Sequence, residues 1–205
     1  MEGKTHGSMQ CTVSQMAMKS SHWQIFVLPQ LFQVLELITT SSDSIDELDS
    51  FMYQTVGHDV IHLQAECMGI PLHREYIKGQ SIDQTLYYNT TEQDETEDLF
   101  RLLSHVKTAH PDIQAVSVGA ILSTYQRTRV ENVCSRLGLT CLSYLWQRDQ
   151  KELLTEMIVS RLTAIVIKVA AIGLNRTHLG RTLGELQPTL LALVPQHILR
   201  PLMIE

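Results

Sequence analysis

Gly119-Ala-Ile-Leu-Ser-Thr-Tyr-Gln-Arg-Thr-Arg-Val-Glu131 decides how this chain is read, because it leads off a short apolar run into a helix that carries two arginines. The run before it, Ala115-Val-Ser-Val118, is compact and apolar and stops at Gly119, as a buried strand does. Ser123 followed three residues later by Gln126 has the form of a capping box, so a helix starts at residue 124. Val130, Val133, Cys134 and Leu137 then recur at helical spacing, and Gly138 is placed to end the helix at 137. Gln126 and Arg127 lie one turn before Val130 on that stripe and overhang the end of the strand. Open parallel sheets bind ligands at the carboxyl ends of their strands, and a helix N-terminus favours an anion there. Arg127 and Arg129 therefore read either as phosphate ligands or as solvated surface charges.

Outward from this unit the alternation is regular. A strand over 139–145, a helix over 150–160 opened by Asp149 and Glu152, and an apolar strand over 163–169 follow in turn. Repeated strand-helix-strand with continuous apolar strands predicts an α/β fold with a parallel sheet covered by helices on both faces, in which 115–118, 139–145 and 163–168 are adjacent. Thr182 with Glu185 opens a last helix that stops at Pro195. Toward the amino terminus, Gln24-Ile-Phe-Val-Leu28 is a candidate strand, and Leu31 to Ile38 fits strand or helix. A polar loop over 39–44 precedes a long helix, Asp46 to Met68, with Met52, Val56, Val60, Leu63 and Cys67 on one face and Gly69 at its end. Residues 70–77 read as a strand and 78–89 as a polar loop. Thr90 or Thr91 caps a helix with Glu92, Asp94 and Glu95 in its first turn and Leu99, Leu102, Leu103 and Val106 on its buried stripe.

The 205 residues, 44% of them hydrophobic, suffice for one large domain. A formal charge of -6 argues against nucleic acid or an anionic membrane as the main partner. Cys11, Cys67, Cys134 and Cys141 form no CxxC pair, which fits reduced, cytosolic usage. No apolar run approaches the ~20 residues that span a bilayer, and the first residues lack the apolar core of a signal peptide, so the expected location is the cytoplasm. Gly3-Lys4-Thr5 imitates the end of a phosphate loop without its upstream glycine and strand. His58 and His62 stand four apart, but no third ligand completes a metal set at a readable spacing, and no metal site is expected. Leu145-Trp-Gln-Arg-Asp149 occupies the same topological position as the 119–131 segment, where Trp146 could line a ligand crevice or simply pack. Lys168 could reach an anion at the end of its apolar run, or snorkel to solvent.

Four ordered motifs, Asp46-Glu-Leu-Asp-Ser-Phe-Met-Tyr-Gln-Thr-Val-Gly-His58, the 119–131 segment, Leu145-Trp-Gln-Arg148, and Ile167-Lys-Val-Ala-Ala-Ile-Gly-Leu174 with His178-Leu-Gly180, closely resemble the diphthine-ammonia ligase family over about residues 43 to 190. The resemblance implies a Rossmann-like sheet of the adenine nucleotide alpha-hydrolase type. It also implies an ATP-dependent amidation of diphthine on elongation factor 2 to diphthamide, through an acyl-adenylate with release of AMP and pyrophosphate. The implied cofactor is ATP with Mg2+, and the implied partners are diphthine-bearing elongation factor 2 and ammonia. By position, Gly119, Ser123 and Lys4 would approach the nucleotide, and Gln126, Arg127 and Arg129 would act on phosphate or the acyl group. Tyr125, Trp146, Gln147, Arg148 and Lys168 would lie on the substrate side.

The chain also departs from that family. The family's Ser-Gly-Gly-Lys-Asp-Ser pyrophosphate loop has Glu2-Gly-Lys-Thr-His-Gly-Ser8 as its nearest counterpart here, and a Glu-Gly-Gly-Glu-Tyr-Glu-Thr motif has none. The expected division is a divergent segment with an eroded first unit over 1–42, a nucleotide-binding α/β domain over 43–194, and a divergent tail over 195–205, as in an alternative or truncated product. A non-catalytic variant lacking the pyrophosphate loop is the alternative reading.

Overall fold

A computed structural model describes residues 34–39, 50–53, 61–69, 71–160, 163–169 and 171–197. Two strand-helix-strand units organise them. In the first, β1 (Val34–Thr39) and β2 (Leu72–Ile77) pair in parallel with Val34 opposite Leu72, joined through α1 (Ile61–Met68). In the second, β3 (Ala115–Ser117) and β4 (Thr140–Leu142) pair in parallel with Ala115 opposite Thr140, joined through α3 (Thr124–Leu137). Between the units, α2 (Glu95–Ala109) packs on β1, β2 and α3. After β4 come α4 (Gln150–Val159), a single 3-10 turn over Arg176–His178, and α5 (Leu183–His197), which packs on α4. The result is a mixed helix and strand fold with small parallel sheets.

The bounds of α3 follow from its ends. Ser123 is extended and its hydroxyl accepts the Gln126 amide, while Gly138 takes the left-handed conformation at φ 63, as the spacing predicted. Lys107 of α2 donates to the Leu137 carbonyl, satisfying one of the groups a helix C-terminus leaves open. Val133 and Cys134 of α3, Leu99 and Leu103 of α2, Leu139 and Met52 form one core. A second core joins Leu153, Leu154 and Met157 of α4 to Leu186 and Leu190 of α5, with Ile121, Leu145 and Ala164. Ile121 and Leu145 come from the turns that follow β3 and β4, so both strand-end turns are anchored in that core.

Five expectations are corrected. Ser50 to Tyr53 is not helical, because the Ser50 hydroxyl accepts the amides of Met52 and Tyr53 at 3.0 and 2.8 Å and closes a turn there; the rest of the long helix before residue 61 lies outside the described residues. Asp94, rather than Thr90 or Thr91, caps α2. The Asp94 amide bonds back to the Thr91 carbonyl at 3.1 Å, and Gln93 turns the chain at φ 64, so the threonines are spent in a turn before the helix. β4 ends at Leu142 instead of 145, since the Trp146 amide bonds to the Ser143 carbonyl in a turn.

Residues 163–169 form no strand beside β4. Ala164 is buried while Ile165 and Ile167 are 49% and 46% exposed, and the main chain pairs with the run into α5: Val166 N to Arg181 O, Gly180 N to Val166 O, and Leu183 N to Ala164 O, with one antiparallel bridge from Ile165 to Thr182. A segment packed on one side has no reason to sit inside a sheet covered on both. Finally, α5 opens with the reciprocal Thr182–Glu185 box as predicted but continues past Pro195 to His197. A proline in the last turn removes one ladder hydrogen bond, and here that does not end the helix. The candidate strand over 24–28 lies outside the described residues.

Candidate functional site at the start of α3

The two strand-end turns are tied together by the main chain. Val118 continues the parallel pairing by donating to Leu142 O at 3.0 Å, and Gln147 N donates to Ile121 O at 2.8 Å. Gln147 adopts φ 55, a left-handed conformation that a side chain other than glycine takes only where its surroundings hold it. These bonds bring the 119–131 and 145–148 segments together: the Arg127 guanidinium carbon lies 4.7 Å from the Trp146 ring centre. Arg127 also donates from Nε to Glu131 at 2.6 Å and keeps 31% of its side chain exposed. The indole and the carboxylate fix a cation that still faces solvent beside the helix N-terminus.

The other candidates fall at different depths. Gln126 does not close the capping box on Ser123; its Nε2 donates to Met52 O at 3.0 Å, pinning the 50–53 segment against α3. Tyr125 is half-buried, its ring 6.0 Å from that of Phe51, and burial first of all raises its phenol above the ordinary range. Gly119 is partly buried and Gln147 exposed. Arg148 turns to α4, where it pairs with Glu156 at 2.8 Å, and Lys168 is partly buried on the 163–169 segment. Lys4 lies outside the described residues.

Arg129 is not in the crevice. It is 0% exposed, and its described hydrogen bonds end on main-chain carbonyls: Tyr125 O at 3.3 Å, Thr85 O at 3.1 Å, and Asp83 O. Positions 127 and 129 are about 200° apart around an α-helix, so one faces out and the other in.

Facing Arg129 is the polar loop over 78–89, whose folding depends on the acids of α2. Asp94 accepts the amides of Ile82 and Asp83 at 3.0 and 2.9 Å besides that of Thr96, and Asp98 accepts those of Lys78 and Gly79 at 2.7 and 2.8 Å. Ser81 donates to Glu95 at 2.6 Å, and Tyr53 donates to the Glu95 carbonyl at 2.9 Å. Burial raises the Glu95 carboxyl against the opposing pull of its serine hydrogen bonds. Asp83 folds the loop tip: the Asn89 amide, then the hydroxyl and amide of Thr85, hold its carboxyl down to about 2. Acids at a helix start ordinarily face water and complement the dipole, which hid these three. Gly79 was the available signal. A Cβ there would meet the main chain of Asp94 and Glu95 at 2.6 Å, the close approach for which only glycine serves.

No acidic residue lies in the first turn of α3, nor in that of the short α1, whereas α2, α4 and α5 each carry at least one. An anion would therefore meet the positive end of α3 unopposed. Among the described residues no three His, Cys, Asp or Glu side chains are grouped to hold a metal; His62 is exposed on α1 and His58 lies outside them. No helix among them is long and apolar enough to cross a membrane.

These features define a mixed helix and strand protein with small parallel sheets, in which the capped start of α3 brings Arg127 against Trp146 beside the strand ends. The chain belongs to the diphthamide synthase N-terminal domain family, which matches residues 17–141. It is similar to the diphthine-ammonia ligase of Schizosaccharomyces pombe, 65% identical over 159 residues that make up 78% of this chain and 26% of that protein. It is also similar to those of Rattus norvegicus and Homo sapiens, 59% and 56% identical over 149 residues, 72% of this chain and 55% of each relative. The chain thus spans about half the length of the mammalian relatives and about a quarter of the yeast one.

Proposed function

We propose that this chain carries the nucleotide-binding part of a diphthine-ammonia ligase, on a Rossmann-like fold of the adenine nucleotide alpha-hydrolase type whose expected bounds, 43–194, widen to take in β1 at Val34–Thr39. The observation that carries the reading is the meeting of Arg127 with Trp146 at the open N-terminus of α3, in a chain whose relatives bear that enzyme's name. In the proposed reaction an oxygen of the diphthine carboxylate attacks the α-phosphorus of ATP, and the bond to pyrophosphate breaks. Ammonia then attacks the acyl carbon, AMP departs, and a proton is lost from nitrogen to leave the amide. Negative charge shifts onto pyrophosphate in the first step, so a preorganised cation and main-chain amides are the groups that lower its barrier. Arg127, the Ser123-capped first turn and the Gly119 main chain take that role. Tyr125, Trp146 and Gln147 border the substrate side, with Arg148 and Lys168 further out. Mg2+ would accompany ATP, held chiefly by its phosphates.

The protein substrate is elongation factor 2 bearing diphthine, and the compartment is the cytoplasm. A second reading is a non-catalytic variant, which would keep the sheet without turning the nucleotide over. Incubating the purified chain with ATP, Mg2+, ammonium and diphthine-bearing elongation factor 2 separates the possibilities. Pyrophosphate release with amide formation supports the ligase, and ATP bound without turnover supports the variant. A chain that does not bind ATP overturns the ligase reading.

A further inference from the structure

Arg129 spends a fully buried charge on the main chain of a distant loop. Nη2 donates to the carbonyls of Asp83 and Thr85, and Nη1 donates to Tyr125 O one turn earlier in α3. Its guanidinium carbon lies 3.3 Å from the Tyr125 ring centre and 5.2 Å from that of Tyr88, while Nε is buried without a hydrogen-bond partner. Burying a guanidinium is costly, and carbonyl and ring contacts that repay it hold their geometry tightly. The contacts to Asp83, Thr85 and Tyr88 reach the loop and those to Tyr125 reach back to the first turn of α3, so the guanidinium bridges the two. Two further ties hold the start of α3, Thr128 Oγ1 to Leu86 O at 3.2 Å and Gln126 Nε2 to Met52 O at 3.0 Å. Tyr88, at the far end of the loop, donates to Glu97 at 2.8 Å, and Glu97 is held in turn by both terminal nitrogens of Arg136 at 2.7 Å.

We propose that Arg129 is a positioning residue: by clamping loop Asp83–Tyr88 onto Tyr125 it sets the first turn of α3 and so holds Arg127 over Trp146. The clamp stands on the contacts above, and only its effect on ATP rests on the function proposed for the α3 start. Arg129 itself touches no ligand. It faces the interior on one side of the helix while the cation it orients faces the crevice on the other, and the rigid turn between them transmits the constraint.

The test uses the full chain with Trp23→Phe, which leaves Trp146 as the single indole of the two in the sequence. Two variants are made in that background. Arg129→Lys keeps the charge but loses the fork that spans Asp83, Thr85 and Tyr125. Asp83→Ala unties the loop tip without touching the buried guanidinium. In both, the amides of Ile82 and Asp83, which Asp94 holds, should exchange about tenfold or more faster as the loop loosens, while amides of Val133–Leu137 stay as slow as in the parent. Trp146 emission should shift to the red in both as the guanidinium leaves its face, and where the parent binds ATP, Kd should rise by about the same factor. Faster loop exchange with unmoved Trp146 emission would overturn the proposal, because a purely structural arginine lowers stability without altering that contact. Unchanged loop exchange in both variants would also overturn it. If Arg129→Lys fails to fold, Asp83→Ala decides by the same two readings. A parent that binds no ATP removes the ligand reading and leaves the clamp to be judged on exchange and emission.

Discussion

Replacing Asp94 with alanine should unfold this molecule more readily than almost any other single polar change, and the cost can be worked from its contacts. The side chain is 1% exposed and accepts three amides: Thr96 N at 2.9 Å as the cap of α2, and Ile82 N and Asp83 N at 3.0 and 2.9 Å in the loop. Loss of a helix cap costs about 1 kcal/mol. Each loop amide left without its acceptor adds about 1 kcal/mol, at the low end of the usual range because water can reach a loop edge. The sum is about 3 kcal/mol. Asp94→Asn keeps a carbonyl oxygen as acceptor but surrenders the charge that strengthens all three bonds, so about half that loss is expected. Urea unfolding followed by circular dichroism measures both, with the alanine variant shifted to a lower midpoint at unchanged slope. A loss below about 1 kcal/mol for Asp94→Ala would mean that the loop amides find other acceptors and that the carboxylate does not organise the 79–94 region.

Three further outcomes are expected. Arg127→Ala should cost about 2 to 4 kcal/mol of transition-state stabilisation in kcat/KM, measured in a full-length relative, yet leave the unfolding midpoint nearly in place; equal activity refutes the phosphate role. Gly79→Ala should lower Tm by several degrees, because the added Cβ meets main-chain atoms 2.6 Å away that belong to the first turn of α2 and cannot swing aside; an unchanged melting curve refutes the close approach. Asp83 has a carboxyl held down to about 2 from an ordinary 3.8, so its stabilising contribution is whole above the ordinary value and is lost as pH falls through about 2. Asp83→Asn should therefore flatten the acid limb of a stability-against-pH curve, and an acid limb identical to the parent's would remove Asp83 from that account.

The parts of this fold that were legible in the sequence are those whose signals are local. The helix over 124–137, its Ser123 cap and Gly138 stop, the Leu99, Leu102, Leu103 and Val106 stripe, and the Thr182–Glu185 box each need only a few neighbouring residues to specify them. Where a distant partner decides, the reading failed. Asp94 became the cap because it also serves Ile82 and Asp83, and 164–166 left the sheet because 180–183 offered its hydrogen bonds. The site shows the same division. Arg127 could be placed at the strand end from spacing alone, but its contact with Trp146 and the burial of Arg129 depend on turns and a loop more than ten residues away in sequence. The two arginines are equivalent by charge alone and part only when the helix is followed around its axis.

The start of α3 differs electrostatically from those of α2, α4 and α5, and one substitution can separate that effect from packing. Asp94, Glu95, Glu97 and Asp98 at α2, Asp149 and Glu152 at α4, and Glu185 at α5 already complement the positive ends of their helices. The first turn of α3 holds no acid, and Arg127 adds to its positive field instead of cancelling it. Thr124, at the first position of the helix and partly exposed, is the place to supply the missing charge. Glutamate there suits both the propensity and the dipole of a helix start, so Thr124→Glu should raise stability by about 0.3 to 1 kcal/mol. The same carboxylate would repel any phosphate drawn to that end, weakening ATP binding by about tenfold or more at low salt and by less as salt screens it. A variant that is at once more stable and a poorer binder cannot be explained by damage to the fold. Raised stability with undiminished ATP affinity would show that nucleotide phosphates bind elsewhere, and the crevice between Arg127 and Trp146 would then lose its claim to them.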